Sequence, residues 1–196
     1  NDNLKITQAV AAYLADKENI QVIMTRSDDT FLSLEERTSF ANQNNADYFV
    51  SLHRNTGEGN GVETWIRSDA DDKTQALAKN IMDNLDADGI SRNRGVKKGT
   101  QKSESKDYYV NLHTNMPACI VELGFMNSPT DNQLFDANVE NYAKAIGDAV
   151  LKTYEAYGKD GADATESVED VPGTEEQIST ETVSYTHLRA HETGAY

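Results

Sequence analysis

Two hydrophobic segments that carry ionisable residues constrain the fold of this chain more than any other feature. Residues 48–52 are aliphatic or aromatic apart from one serine, and His53 follows them directly. A run of this kind is typical of a central strand that is covered on both faces. Open α/β sheets place their ligand sites at the carboxyl ends of such strands, where a histidine can accept a proton or a metal ion. A hydrogen-bonded histidine at a strand end, without a catalytic role, is the alternative interpretation.

The second segment, residues 116–125, contains Glu122 among apolar residues. An ionised carboxylate is rarely buried without a partner, because removing it from water is costly in free energy. Two hydrophobic strands that each carry an ionisable residue therefore indicate one shared site, which contains His53 and Glu122.

Hydrophobic periodicity predicts that helices and strands alternate along the chain. Apolar residues at helical spacing, together with capping signals, predict helices over about residues 3–16, 33–44, 71–85 and 128–158. Apolar or alternating runs predict five strands, over residues 21–24, 48–53, 62–66, 108–112 and 116–125. This alternation implies a single α/β domain.

Several other polar residues are weaker candidates for a site. Glu63 lies in the strand at residues 62–66, where an alternating position that faces solvent is the favoured interpretation. His113 could be a second metal ligand, but a polar residue at a turn is favoured. Residues 86–107 form a long basic segment, which either contacts an anionic substrate or is a solvated surface loop. The cations of this segment that define its basic character are Arg94, Lys97, Lys98 and Lys102.

The composition argues against several classes of function. The 196 residues carry a formal net charge of −15, which argues against a nucleic-acid partner and against electrostatic adhesion to an anionic surface. Cys119 is the only cysteine and lies in an apolar strand, so we expect a core residue and no disulfide framework. No segment is long and apolar enough for a transmembrane helix, so membrane insertion is not expected.

The composition changes after residue 158, which ends the predicted domain of residues 1–158. Residues 159–182 alternate acidic with small polar residues, so we predict a disordered acidic linker that leads to another module in a longer protein. Residues 183–196 differ again and look like the translation of a sequencing adapter. We therefore predict that this tail, with its two histidines, is non-native.

Residues 3–157, approximately, resemble the zinc-dependent N-acetylmuramoyl-L-alanine amidases of the amidase-3 family. The order and spacing of several blocks carry the resemblance, and no single block decides it. The blocks are residues 22–26 (VIMTR), 34–37 (LEER), 46–53 (ADYFVSLH), 61–64 (GVET), 94–97 (RGVK) and 116–125 (MPACIVELGF). The resemblance implies a three-layer, phosphorylase/hydrolase-like domain, in which a mixed, mostly parallel twisted sheet has helices on both faces.

The resemblance also implies a site. In that family two histidines and a glutamate hold a zinc ion, and a separate glutamate is catalytic. His53 matches the later ligand histidine, and Glu122 matches the catalytic glutamate. The family's other two ligands lie further upstream, on a glycine-rich loop and the first helix. We therefore expect that this chain begins after them, lacks the family's first strand and metal-binding loop, and is inactive as it stands. Substrate-binding residues are not indicated.

The implied reaction is hydrolysis of the amide between N-acetylmuramic acid and L-alanine of the peptidoglycan stem peptide. Peptidoglycan is then the expected partner, and the bacterial cell wall, periplasm or extracellular space is the expected location. An additional wall-binding module is expected beyond the linker. Two alternatives stay open. One is a non-catalytic wall-binding or regulatory protein with the amidase fold. The other, less favoured, is a zinc exopeptidase, which usually carries more histidine and carboxylate ligands than His53 and His113 provide.

Overall fold

The computed structural model describes residues 2–18, 20–89 and 91–158, together with the backbone of residues 181–187, and within them helices alternate with strands. The helices are α1 (Asp2–Ala15), α2 (Leu34–Gln43), α3 (Asp72–Ala87), α4 (Tyr109–His113) and α5 (Pro129–Tyr157). The strands are β1 (Ile20–Met24), β2 (Tyr48–Asn55), β3 (Val62–Ile66), β4 (Asn93–Lys98), β5 (Ala118–Phe125) and β6 (Glu181–His187). None of the helices in these ranges combines the length and the hydrophobicity needed to cross a bilayer.

The strands form one open sheet in the order β1-β6-β2-β5-β3-β4. Strand β3 runs antiparallel to β5, and the other paired strands are parallel. The sheet is therefore mixed and mostly parallel, as predicted. Its centre is β2 and β5, the two strands on which His53 and Glu122 lie.

Helices cover both faces of this sheet. Helices α1 and α3 each pack against α5 on one face, over the larger hydrophobic core. That core takes alternate residues of the central strands, including Leu52 and Val121. Helices α2 and α4 pack together on the opposite face, over a smaller core that includes Phe49, Trp65 and Ile120. The predicted three-layer α/β domain is confirmed.

Local sequence signals fix where the helices begin. Ser33 caps α2 in a reciprocal capping box with Glu36, in which each side chain accepts a hydrogen bond from the other residue's backbone N–H. Asp71 caps α3 by accepting from the backbone N–H of Thr74. Ser128 caps α5, and Pro129 occupies its first turn, where a missing N–H costs nothing.

The predicted strand at residues 108–112 is wrong, because most of this segment forms helix α4. Its aromatic and β-branched residues favour a strand by intrinsic propensity, but tertiary packing overrides that preference. Val110 joins the smaller core, and the buried Asn111 Nδ2 donates a hydrogen bond of 3.0 Å to the backbone carbonyl of Trp65. A single helical turn thereby closes over the end of β3.

The prediction of an uninterrupted loop over residues 86–107 is also wrong, because this segment contains β4. The strand reads NRGVKK and has one large apolar residue, Val96. It lies at the edge of the sheet and pairs with β3. Four of its six residues are only partly buried and its two end residues are exposed, so the strand needs little hydrophobic alternation and periodicity does not reveal it.

Strand β6 lies between β1 and β2 and pairs in parallel with both of them. The resemblance implies that the family's first strand is missing, which would leave a neighbouring strand with unpaired backbone groups. In this structure the facing edges of β1 and β2 are both paired with β6. The first two residues of β6, Glu181 and Thr182, belong to the predicted disordered linker, and the rest belong to the predicted non-native tail. The remainder of the linker and residues 188–196 lie outside the described residues.

Candidate active site

Three ionisable side chains form a row across three neighbouring strands. His53 on β2 is the register partner of Glu122 on β5, and Glu122 is the partner of Glu63 on β3. Register partners project from the same face of a sheet. The structure therefore brings together the two residues that the sequence predicted to share a site, and it adds Glu63 to them.

His53 is buried, with 5% of its surface exposed. Its Nε2 lies 2.6 Å from Oγ of Ser51, which precedes it by two residues on the same face of β2. The direction of this hydrogen bond depends on the tautomer of the imidazole, because either ring nitrogen can carry the proton. Ser51 thus orients the ring at the carboxyl end of the strand.

Glu122 has a carboxylate that is partly withdrawn from water. The residue as a whole is half-buried, but its Oε2 is enclosed and makes no hydrogen bond within the described part of the chain. Burial, together with the negative charge of Glu63, raises the pKa of Glu122 to about 8, and the positive charge of Arg54 opposes this shift. A carboxyl group with a pKa in this range can both accept and return a proton near neutral pH.

Glu63 is 2% exposed, so the prediction that it faces solvent is wrong. Its Oε1 accepts hydrogen bonds from Asn55 Nδ2 and Trp65 Nε1, both at 3.0 Å. Its Oε2 accepts a hydrogen bond of 2.7 Å from Nε of Arg94. The ion pair with Arg94 and the two hydrogen bonds from neutral donors offset the free-energy cost of removing this carboxylate from water.

Arg94 extends the row to the edge strand β4. Its guanidinium group, besides its bond to Glu63, lies 5.0 Å from the centre of the Phe125 ring, and Nη1 lies 3.4 Å from the backbone carbonyl oxygen of Asn60. The side chain is 31% exposed. The four strands β2, β5, β3 and β4 thus contribute one ionisable residue each to the row His53–Glu122–Glu63–Arg94.

A buried aspartate holds the loop beside this row. Oδ2 of Asp131, in the first turn of α5, accepts hydrogen bonds from the backbone N–H groups of Gly61 (3.0 Å) and Phe125 (2.8 Å). The close approach depends on Gly124, which has φ = +86° and whose Cβ, if it had one, would lie 2.9 Å from Cβ of Asp131. The loop at residues 56–61 is therefore tied to the end of β5.

Comparison with known proteins identifies the family of this chain. The amidase-3 family profile, described as N-acetylmuramoyl-L-alanine amidase, matches residues 1–152.

The chain belongs to the amidase-3 family of N-acetylmuramoyl-L-alanine amidases.

Individual curated proteins are similar to this chain over most of the domain. The uncharacterized protein YqiI of Bacillus subtilis (strain 168) is 35% identical over 158 residues, which are 78% of this chain and 72% of YqiI. The sporulation-specific N-acetylmuramoyl-L-alanine amidase of the same organism is 30% identical over 129 residues, which are 65% of this chain and 48% of that protein. This chain thus spans about half or less of the length of several curated relatives.

Solved amidase structures share the fold. The crystal structure of N-acetylmuramoyl-L-alanine amidase from Clostridium difficile 630 superposes with a TM-score of 0.74 at 31% identity, covering 80% of this chain and 84% of that one. An open mixed sheet with helices on both faces is therefore the fold of this chain and of its solved relative.

Of the weaker candidates, Glu63 and Arg94 belong to the row, and His113 lies apart from it. His113 is exposed at the end of α4, where its ring stacks on Tyr109 with 4.0 Å between ring centres. Cys119 is fully buried in the larger core, as predicted, and burial raises the pKa of its thiol. In the basic segment, Lys98 and Lys102 are exposed. Lys97 is the register partner of Trp65, on the same face as the row.

The donors of the described residues do not by themselves fit a catalytic zinc ion. Such an ion needs three protein ligands and an open position. Within residues 2–18, 20–89 and 91–158, no group of three histidine, cysteine, aspartate or glutamate side chains is placed to hold a metal. His53 and Glu122 provide one imidazole and one carboxylate, which is an incomplete set.

Glu63 and Asp131 carry little local signal that would identify them as buried residues. Both are charged residues in regular elements, and their burial depends on neighbours that are distant along the chain. Arg94 is one cation among several in the basic segment of the sequence, and its contact with Glu63 distinguishes it from the others.

Proposed function

We propose that this chain is the catalytic domain of a peptidoglycan hydrolase that cleaves the amide between the lactyl group of N-acetylmuramic acid and L-alanine of the stem peptide. The observation that supports this proposal is the carboxylate of Glu122. It has an enclosed oxygen and a pKa raised to about 8, and it lies beside His53 in register. Family membership supplies the reaction class.

Glu122 is the proposed general base and acid. An amide carbonyl is a poor electrophile, so water must be activated for attack and the leaving amine must be protonated. A carboxyl group within hydrogen-bond reach can take the proton of the attacking water and return it to the amine nitrogen. Enclosure favours this role, because a carboxylate with few donors keeps a high affinity for the proton.

Zinc is proposed from the family resemblance, with His53 as one ligand. When bound, such an ion polarises a carbonyl oxygen and lowers the pKa of a bound water. Because the described residues offer an incomplete ligand set, we infer that these 196 residues alone bind zinc weakly and release little or no stem peptide, even with added zinc. Robust zinc-dependent turnover by the 196-residue chain would contradict this inference.

A non-catalytic wall-binding or regulatory protein with the amidase fold is the second candidate, and the incomplete ligand set favours it. In both cases peptidoglycan is the partner, and the cell wall, periplasm or extracellular space is the proposed location. A wall-binding module beyond the acidic linker is part of the same proposal. The net charge of −15 is unfavourable for binding nucleic acid.

The deciding experiment is release of stem peptide from purified peptidoglycan by the zinc-loaded full-length protein and its Glu122→Gln variant. Glutamine is nearly isosteric but cannot accept the proton, so turnover should fall about 10²–10⁴-fold while the fold and the zinc content are kept. Glu140→Gln, on the exposed side of α5, is the matched control. Near-normal turnover by Glu122→Gln would exclude Glu122 as the base, and peptidoglycan binding without any release would favour the second candidate.

A further inference from the structure

We propose that Arg94 is a substrate-binding residue that takes a free carboxylate of the stem peptide, close to the bond that is cleaved. This inference deepens the proposed amidase function and rests on it. It identifies the preferred substrate as a stem peptide with an acidic residue near the muramic acid, rather than its amidated counterpart.

The guanidinium group of Arg94 is held in one orientation from two sides. Its Nε donates to Oε2 of Glu63 at 2.7 Å, and its Cζ lies over the Phe125 ring, 5.0 Å from the ring centre. Phe125 is itself buried. An arginine that is already fixed loses little conformational freedom when it binds an anion.

The contacts of Arg94 leave part of its donor fork for a ligand. A guanidinium group has five N–H donors, on Nε and two Nη atoms. Within the described part of the chain, its hydrogen bonds use Nε, toward Glu63, and Nη1, toward the Asn60 carbonyl oxygen at 3.4 Å. The partly exposed outer edge can therefore meet a carboxylate through parallel N–H···O bonds, the geometry that arginine favours.

The surroundings of Arg94 favour an anionic ligand over a neutral one. The buried carboxylate of Glu63 also accepts hydrogen bonds from Asn55 and Trp65. It therefore orients Arg94 without covering the outer edge of the guanidinium group. Lys97 follows on the same face of the edge strand, beside Trp65 in register. The charge of Glu63 offsets that of Arg94, so Lys97 supplies the additional positive charge on this face of a chain with a net charge of −15.

The spacing of the strands limits where the ligand carboxylate can lie. Arg94 is on β4, two strands away from Glu122 on β5, which is about 10 Å at the usual separation of neighbouring strands. An extended peptide covers that distance in about three residues. A carboxylate on one of the first residues after the cleaved amide is therefore within reach, and the residue that follows the alanine is the first with a suitable group.

The test is a comparison of two synthetic muramoyl tripeptides, measured by calorimetric titration into the 196-residue chain without zinc. In one ligand the residue after alanine is D-glutamate, joined through its side chain so that its α-carboxylate is free. In the other ligand that group is a carboxamide, and the compounds are otherwise identical. The unaltered chain should bind the carboxylate about 10- to 100-fold more tightly, because a charge-assisted pair is lost in the amide.

Three variants separate a specific contact from a general effect of charge. Arg94→Gln should remove the preference, leaving the affinity for the amide unchanged. Arg94→Lys should retain part of the preference for the carboxylate ligand, because lysine keeps the positive charge but lacks the parallel N–H donors of the guanidinium group. Arg92→Gln removes an exposed arginine two residues away and should keep the full preference. A thermal melt of each variant confirms that it is folded.

The outcomes distinguish this inference from the function on which it rests. Equal binding of the two ligands by the unaltered chain would overturn the role of Arg94, whatever the variants do. An equal loss of preference in Arg92→Gln and Arg94→Gln would overturn it as well. If the chain binds neither ligand and the full-length protein releases no stem peptide, the proposed function fails and the inference falls with it.

Discussion

Glu63 and Glu122 lie directly opposite each other on the antiparallel strands β3 and β5, yet their carboxylates have different surroundings. Glu63 accepts three hydrogen bonds, one of them from an arginine. Glu122 has one enclosed oxygen without a hydrogen bond among the described residues. Like charges placed opposite each other in a sheet are destabilising, and the charge of Glu63 accordingly contributes to the raised pKa of Glu122.

Replacement of Glu63 should destabilise the fold. In Glu63→Gln the amide NH₂ group must face either Arg94 or the Asn55 and Trp65 donors, so at least one buried donor loses its acceptor. We expect the free energy of unfolding to fall by about 1–3 kcal/mol, measured by urea denaturation. Glu58→Gln, in the exposed loop that precedes β3, should change it by less than about 0.5 kcal/mol. Equal stability of the two variants would show that the Glu63 contacts are weak.

Glu122→Gln should stabilise the protein increasingly as the pH rises. The pKa of Glu122 is raised from 4.5 to about 8 in the folded protein, so the folded state binds the proton more tightly than the unfolded state does. Ionisation of Glu122 therefore lowers the free energy of unfolding. This loss is absent below about pH 4.5, grows between pH 4.5 and pH 8, and is complete above pH 8. Urea titrations at pH 5, 7 and 9 should show a growing advantage for Glu122→Gln, on the order of a few kcal/mol. Glu140→Gln should show no such trend, and a constant difference for Glu122→Gln would contradict the raised pKa.

His53→Ala should reduce the zinc content of the full-length protein, if His53 is a ligand as proposed. The measurement is elemental analysis after dialysis, with circular dichroism to confirm folding. His113→Ala is the matched control, because His113 is exposed on α4 and should leave the zinc content unchanged. Tight stoichiometric zinc in His53→Ala would reduce His53 to a hydrogen-bonded strand-end residue.

Asp131→Ala should loosen the loop beside the site. It leaves the backbone N–H groups of Gly61 and Phe125 without their acceptor, which should cost about 2–5 kcal/mol of unfolding free energy. Hydrogen exchange at these two amides should become faster than in the unaltered chain. Asp136→Ala, with an exposed carboxylate on the same helix, is the control. Unchanged exchange at both amides would show that Asp131 does not hold the loop.

The central part of the fold could be predicted from the sequence because its signals are local. Residues 48–53 and 116–125 are hydrophobic enough to identify two buried strands, and the capping residues Ser33 and Ser128 mark where helices begin. His53 and Glu122 were recognised because each is a polar residue within a hydrophobic segment. The structure places them in register, while their chemical roles stay predictions.

Features that depend on distant contacts could not be predicted. The burial of Glu63 requires donors from β2 and β4, and alternation within β3 gives no information on what covers each face. Helix α4 has the composition of a strand, but the docking of Asn111 on Trp65 favours a helical turn. In both cases the decisive energy comes from a residue about 30 to 50 positions away in the sequence.

Because four separate strands supply the row from His53 to Arg94, the site depends on the alignment of backbones rather than on the sequence of one loop. A slip of β5 by one residue would turn Glu122 away and present Val121 or Leu123 in its place. Insertions and deletions within β5 should therefore disrupt the row far more than side-chain changes nearby, even in variants that still form a sheet. The same dependence makes correct strand pairing during folding a prerequisite for assembly of the row.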